Sequence, residues 1–211
     1  MKSLLENKLV KKIANIPVIW NIAQNIIGSY QWKARMYPSV FERKEGTLLD
    51  FGCSSGNITA MFLDFDYSGV DVDQQAIAAA QSKFKQYPNI KFFALDIINE
   101  GFRKDFFDHV FFAGTAHHLT DDDLGKITPI LMENLKPGGQ LHFFDHISQS
   151  LKDGWITRFI LRSDQGKYPR TEETYRRFFD PEKYRITAWK VFPSPDQFIK
   201  FPDFLYIRVV K

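Results

Sequence analysis

The stretch Leu48-Leu49-Asp50-Phe51-Gly52-Cys53-Ser54-Ser55-Gly56 constrains this chain more than any other part of it. The apolar run from Thr47 to Phe51 reads as a buried strand, the glycines and serines after it as a tight turn, and Asn57 to Leu63 as a helix. Glycines at such a turn let a ligand approach the backbone closely, and a helix start offers unpaired amide donors. Twenty-one residues beyond Asp50, Gly69-Val70-Asp71-Val72-Asp73 ends a second strand with an acid spaced to accept both hydroxyls of a ribose.

The alternation continues downstream. Asp73 to Tyr87 carries Ala76, Ile77, Ala80 and Phe84 on one helical face and stops at Pro88, and Ile90 to Leu95 supplies a third strand. Phe107 to Ala113 is a fourth. Thr120 followed by Asp121, Asp122 and Asp123 sets a cap and an acidic first turn before a helix from Leu124 to Leu135. Lys136-Pro137-Gly138-Gly139 ends that helix and leads into a fifth strand, Gln140 to Asp145. Strands and helices in this alternation imply a parallel sheet with right-handed crossovers. Further on, Trp155 to Arg162 and Thr171 to Phe179 read as helices, while Tyr184 to Phe192 and Phe204 to Val210 read as a terminal hairpin at the sheet edge. At the other end, Leu4, Leu5, Leu9, Ile13, Ile16, Ile19, Trp20 and Ile26 recur at helical spacing around Pro17, giving two short amphipathic helices.

With 211 residues the chain suits one core with short additions. Its one cysteine, Cys53, excludes an intramolecular disulfide and points to a reducing, cytoplasmic setting. Met1 to Gly28 is interrupted by Lys11, Lys12, Asn15, Pro17, Asn21 and Gln24, unlike a signal peptide or a membrane span. Charge is unevenly spread: residues 1–46 net +5, 47–150 net −7 and 151–211 net +5. An acidic middle suits a cationic ligand, and basic flanks suit a phosphate, a carboxylate or an anionic membrane surface.

In these landmarks the sequence resembles the class I S-adenosylmethionine methyltransferases over nearly all of its length after residue 46. Asp50-x-Gly52-x-x-x-Gly56 resembles their glycine-rich first motif, with Ser54 where a middle glycine is common. The resemblance implies that Asp71 binds the ribose and Val72 packs on the adenine. Leu95-Asp96-Ile97 is similar to the motif whose acid accepts from the adenine amino group and whose next backbone amide reaches a ring nitrogen. Phe107-Asp108 through Leu119, then Lys136-Pro137-Gly138-Gly139, resembles the fourth strand and the turn before the fifth. The implied architecture is a Rossmann-like α/β fold with a seven-stranded sheet in the order 3-2-1-4-5-7-6, the last strand antiparallel. Residues 1–46 would form a helical cap, and residues 47–211 the methyltransferase domain with an acceptor-site insertion at about 151–180. Asp50, Gly52, Gly56, Asp71, Val72, Asp96 and Ile97 are the expected S-adenosylmethionine contacts.

Other readings share some of these features. A dehydrogenase also has the strand, turn and distant acid, but its pyrophosphate calls for Gly-x-Gly-x-x-Gly, and this chain has Ser54 and Ser55 with no third glycine in place. Gly52-Cys53-Ser54-Ser55-Gly56 matches the nucleophile elbow of α/β-hydrolases, yet that elbow needs preceding strands and an upstream oxyanion loop. A noncatalytic module or partner subunit that binds the cofactor is the other class of reading, and the presence of both Asp71 and Asp96 speaks against one with no use for it.

His117 and His118 follow the fourth strand, where the family's substrate-facing loop begins. A histidine there is a candidate base if the methyl acceptor must lose a proton. Asp145-His146, ending the fifth strand, is a second candidate. No Cys/His/Asp spacing resembles a metal site, so no metal is expected. Lys167, Tyr168 and Arg170 are expected to face a small, anionic acceptor, because arginine forks suit such groups. Lys33 and Arg35 are candidates for the cofactor carboxylate or for a solvated helix face. The split basic flanks disfavour nucleic acid, and residues 1–28 either cap the acceptor site or rest peripherally on an anionic membrane.

Overall fold

The computed structural model describes residues 29–42, 44–148, 167–193 and 202–211. The helices expected within 1–28 and at 155–162, and with them most of the cap, lie outside these residues. So does the part of the expected insertion up to residue 166.

Elements run α1 (Ser29–Ser39), β1 (Thr47–Phe51), a 3₁₀ turn (Thr59–Met61), β2 (Asp66–Asp71), α2 (Gln74–Lys83), β3 (Ile90–Ala94), α3 (Ile97–Glu100) and β4 (Phe107–Ala113). A second 3₁₀ turn (Ala116–His118), α4 (Asp121–Asn134), β5 (Leu135–Ile147), α5 (Glu172–Arg176), β6 (Arg185–Phe192) and β7 (Asp203–Val210) complete the order. The seven strands form one sheet in the order β3-β2-β1-β4-β5-β7-β6. Strands β1 to β5 are parallel, and β7 runs antiparallel to both β5 and β6, so the terminal hairpin enters with its second strand innermost. This is the order expected from the sequence.

Successive strand residues point to opposite faces, and the central strands use large rings on both. Phe112 and Phe143 join Leu124, Ile127, Leu131, Tyr175 and Phe179 on the α4 side. Their neighbours Phe111 and Phe144 join Tyr37, Phe41, Phe62 and Tyr67 on the other. Burial on both faces explains why these strands read as continuous apolar runs.

Caps set the helix starts. Asp73 accepts from the amides of Gln75 and Ala76, Thr120 from Asp123, and Thr171 from Thr174. The helix expected from Asn57 to Leu63 does not form; only the 3₁₀ turn Thr59–Met61 stands there. Thr59, Phe62 and Phe65 are all buried, and Thr59 Oγ1 donates to Tyr67 Oη at 2.9 Å. The short crossover between β1 and β2 thus buries these side chains from a single 3₁₀ turn and the loop after it. Among the described residues no helix is long and apolar enough to cross a membrane.

Candidate active site

Parallel strands present their C-terminal ends at one edge of the sheet, where open α/β folds bind ligands. The segments that follow those ends are Gly52–Gly56 after β1, Asp71–Val72 at β2, Asp96–Ile97 after β3 and His117–His118 after β4, with Asp145–His146 near the end of β5. The strand order reverses between β1 and β4. There the glycine turn meets the loop after β4: a Cβ on Gly52 would lie 2.3 Å from Thr115 Oγ1. Gly52 also has φ +78 and Gly56 φ +71, and Ser54, standing for the usual middle glycine, still takes a left-handed φ of 48.

The turn is held from both sides. Gly52 and Cys53 amides donate to the Val70 carbonyl at 2.8 and 3.1 Å. The Ser54 amide donates to Asp71 Oδ2 at 2.9 Å, and the Asp73 amide to Asp71 Oδ1 at 3.0 Å. Asp71 therefore has one backbone donor on each carboxylate oxygen and a lone pair left on each. Beside it Val72 is 69% exposed, an apolar side chain offered to solvent next to a polar anchor.

Asp96 caps α3, accepting from the Ile98 amide at 3.1 Å, while Asn99 Nδ2 donates to its other oxygen at 2.7 Å. Glu100 answers by accepting the Asp96 amide at 3.1 Å, which ties the first turn of α3 back to its cap. Ile97 buries its side chain in the core. Its contribution to a ligand would therefore come from the backbone amide, which the first turn of a helix leaves without an intrahelical partner.

Asp50 is buried, and Tyr67 Oη donates to its Oδ2 at 2.5 Å. Burial raises its carboxyl to about 7, the Tyr67 hydrogen bond pulls it down and the Asp71 charge adds to the rise. Tyr37, from α1, is buried within reach of both Asp50 and Asp145, and burial plus those two charges push its hydroxyl far above the ordinary tyrosine value. Tyr37 and Tyr67 escaped the sequence reading because, among so many rings, a tyrosine in an apolar pattern looks like core.

His117 and the Asp145-His146 pair, separate candidates in the sequence, come together at β4 and β5. His117 Nδ1 lies 2.7 Å from Asp145 Oδ1, and the His117 amide donates to Asp145 Oδ2 at 3.0 Å. The His146 amide donates to Asp145 Oδ1 at 2.8 Å. The His117 ring sits between those of His118 and His146, with centroids 4.2 Å away on each side. Burial pushes the Asp145 carboxyl up, but His117, His146 and the hydrogen bonds they bring outweigh it and hold it at about 2. His117, Asp145 and His146 also have potential metal-ligand atoms within 4.8 Å of one another, a grouping invisible in sequence spacing. Both imidazoles approach Asp145 Oδ1 with Nδ1, His117 at 2.7 Å and His146 at 3.3 Å.

Arg170 was expected to face an acceptor, and the structure gives it other work. It is 4% exposed. Nη1 donates to the carbonyls of Ala116 at 2.7 Å and Tyr168 at 3.4 Å, Nη2 to Leu119 O at 2.7 Å and Asp121 Oδ1 at 2.6 Å, and Nε to Asp121 Oδ1 at 2.8 Å. A guanidinium has five N–H donors, and all are used, so none remains for an anionic acceptor. Lys167 and Tyr168 are exposed, and the Tyr168 amide donates to the His117 carbonyl at 3.0 Å. On α1, Lys33 is half-buried and Arg35 exposed. A surface hollow of about 410 Å³ lies on the flank of α2 and β3, lined by Gln81, Lys85 and Lys91 among others, and takes in none of the residues above.

Comparison with known proteins agrees with this geometry. Residues 48–139 match a family model described as a methyltransferase domain. The chain is 24% identical over 172 residues to an uncharacterised methyltransferase of Oceanobacillus iheyensis, covering 82% of this chain and 80% of that one. A crystal structure of an S-adenosylmethionine-dependent methyltransferase from Methanosarcina mazei superposes with TM-score 0.66 at 15% identity, over 83% of this chain and 97% of that one. The 1,6-didemethyltoxoflavin-N1-methyltransferase of Burkholderia thailandensis, solved with 1,6-didemethyltoxoflavin and S-adenosylhomocysteine, gives TM-score 0.67 at 14% identity, over 96% and 88% of the two chains. In strand order and in the turn after β1 this chain has the fold of the S-adenosylmethionine-dependent methyltransferases it resembles, and its residues 48–139 match a methyltransferase domain.

Proposed function

We propose that this chain is an S-adenosylmethionine-dependent methyltransferase acting on an oxygen or nitrogen nucleophile of a small molecule, and that His117 takes up the proton which that nucleophile loses. The observation that carries the reading is the 2.7 Å contact of His117 Nδ1 with Asp145 Oδ1, at the same sheet edge as Asp71 and the Gly52 turn. With Asp145 ionised, Nδ1 carries a hydrogen and Nε2 is the basic nitrogen. Asp145 also stabilises the imidazolium once Nε2 is protonated. General bases of this kind contribute roughly 10²- to 10⁴-fold.

The residues fit S-adenosylmethionine. Exposed Val72 beside Asp71 offers an apolar face next to a ribose acceptor. The turn after β1 leads to a three-residue 3₁₀ turn rather than a helix start, which suits a cofactor without a pyrophosphate. On this reading Asp71 holds the ribose, Val72 the adenine face, the Asp96 carboxylate and Ile97 amide the adenine edge, and Asp50 with the Gly52–Gly56 backbone the methionine end. When bound, the cofactor supplies an electrophilic methyl group on a positive sulfonium. Protein groups then align the acceptor and exclude water. Lys167 and Tyr168, exposed beside the His117 backbone, are the proposed acceptor contacts, and Lys167 favours an anionic one. The Burkholderia structure, solved with 1,6-didemethyltoxoflavin bound, supports a small-molecule acceptor.

Calorimetric titration with S-adenosylmethionine, and separately with NAD, tests the cofactor site, with Asp71→Ala as control. Saturable binding of the first alone, lost in the variant, is expected. A screen of anionic and neutral acceptors for S-adenosylhomocysteine release then tests the acceptor. Methylation of neutral compounds only would remove the anionic assignment, and full turnover by His117→Ala would remove the base.

A further inference from the structure

We infer that Arg170 is a positioning residue that sets the geometry of the His117–Asp145 pair, an inference that rests on the base role proposed above. Its side chain holds the turn that carries His117, and its backbone joins the strand end just past Asp145. From the side chain, Nη1 grips the Ala116 carbonyl and Nη2 the Leu119 carbonyl, both at 2.7 Å, so the guanidinium spans the 3₁₀ turn that carries His117. From the backbone, the Arg170 carbonyl accepts the Ser148 amide at 2.9 Å, and Arg170 bridges in parallel to Ile147, two residues past Asp145. One residue from a distant segment thus cross-links the loop after β4 to the end of β5.

Asp121 completes the device. It stands in the first turn of α4 and takes Nε and Nη2 of Arg170 on a single oxygen, at 2.8 and 2.6 Å. That contact fixes the plane of the guanidinium and therefore the direction of its other donors. The two carbonyls sit on either side of His117 in sequence, at 116 and 119, so rotation of the imidazole relative to Asp145 is restrained from both ends of the turn. Lysine offers a point charge without a fork and cannot meet both carbonyls and Asp121 in one plane. Asp121 is 68% exposed at its side chain, while the Arg170 side chain is 3% exposed, which makes Asp121 the less disruptive place to perturb the clamp.

The test uses nuclear magnetic resonance of the protein saturated with S-adenosylhomocysteine. It reads the downfield proton of the His117 Nδ1–H to Asp145 hydrogen bond, assigned by its loss in His117→Asn, together with the titration of the His117 ring. In Arg170→Lys the resonance should be lost or move upfield and the titration midpoint should shift. Asp121→Ala should give a smaller shift in the same direction and Asp121→Glu should restore it, which a purely structural role would not require. Turnover with any acceptor found should fall by up to about 100-fold in Arg170→Lys, the size of loss that a small misplacement of a reacting group causes. If wild-type protein shows no resonance that His117→Asn removes, the base reading itself fails. If the resonance is present and both Arg170→Lys and Asp121→Ala leave it and the titration unchanged, the positioning role alone is overturned.

Discussion

The Ser54 amide donates to the Asp71 carboxylate at 2.9 Å, so the turn after β1 and the acid ending β2 are locked to each other. The other oxygen of Asp71 takes the Asp73 amide at 3.0 Å. Asp71→Asn, though equal in size, must point its amide group at one of these two N–H donors. It should weaken S-adenosylmethionine binding by about tenfold or more, given about 1–3 kcal/mol for an opposed or unmet polar group. Titration calorimetry checks this, and an affinity equal to wild type would detach Asp71 from the cofactor site.

Gly52 tests the meeting of β1 and β4. An alanine Cβ there would fall 2.3 Å from Thr115 Oγ1 and 2.6 Å from Cγ2, on a backbone with φ +78. Gly52→Ala should lose roughly 1–3 kcal/mol of stability, from overpacking and from left-handed strain. Adding Thr115→Ala removes the two nearest atoms but not the strain, so thermal melts of the double variant should recover part of the loss and not all of it.

Asp50 gives a pH dependence whose sign is fixed by its burial. Folding raises its carboxyl from 3.8 to about 7, so between those values the folded protein holds a proton that the unfolded chain has released. Its contribution to stability is therefore complete below the lower value and is lost as pH rises through about 7. Asp50→Asn keeps an acceptor for Tyr67 and should flatten that slope. Melting temperatures compared near pH 5 and near pH 8 should differ less in the variant than in wild type.

The two histidines outside the candidate site act in the opposite direction. His142 Nε2 lies 3.3 Å from His109 Nδ1, and its Nδ1 lies 3.1 Å from the Tyr206 hydroxyl. Burial, then the neighbouring His109 and Arg208, push its imidazole well below 6.5. The unfolded chain takes up a proton there first, so stability from this group is present above 6.5 and falls as the solution is acidified. His142→Gln, titrated by denaturant unfolding across that range, should show a shallower acid limb. An unchanged limb would assign acid sensitivity to other groups.

Much of this was legible in sequence because it depends on local rules. Apolar runs, turns and caps gave the strands, and Asp71 and Asp96 lie where their strands end. What escaped reading depends on neighbours distant in sequence. His117 and Asp145 were each visible as candidates, but their pairing follows from β4 lying beside β5. Arg170 was read as an anion ligand because its partners include backbone carbonyls, which leave no mark in a sequence. The helix missing after Gly56 was lost to Thr59, Phe62 and Phe65, whose burial becomes apparent only once Tyr67 and α1 are packed over them.

The five hydrogen bonds of Arg170 also bear on how such an enzyme can change. The exposed Lys167 and Tyr168, proposed to meet the acceptor, are close neighbours of the residue proposed to steady the base. A chimera that exchanges this segment to alter substrate choice would carry away the clamp as well. Acceptor range and proton-transfer competence are therefore inherited together, and a swap that spares Arg170 and Asp121 should keep far more turnover than one that replaces them.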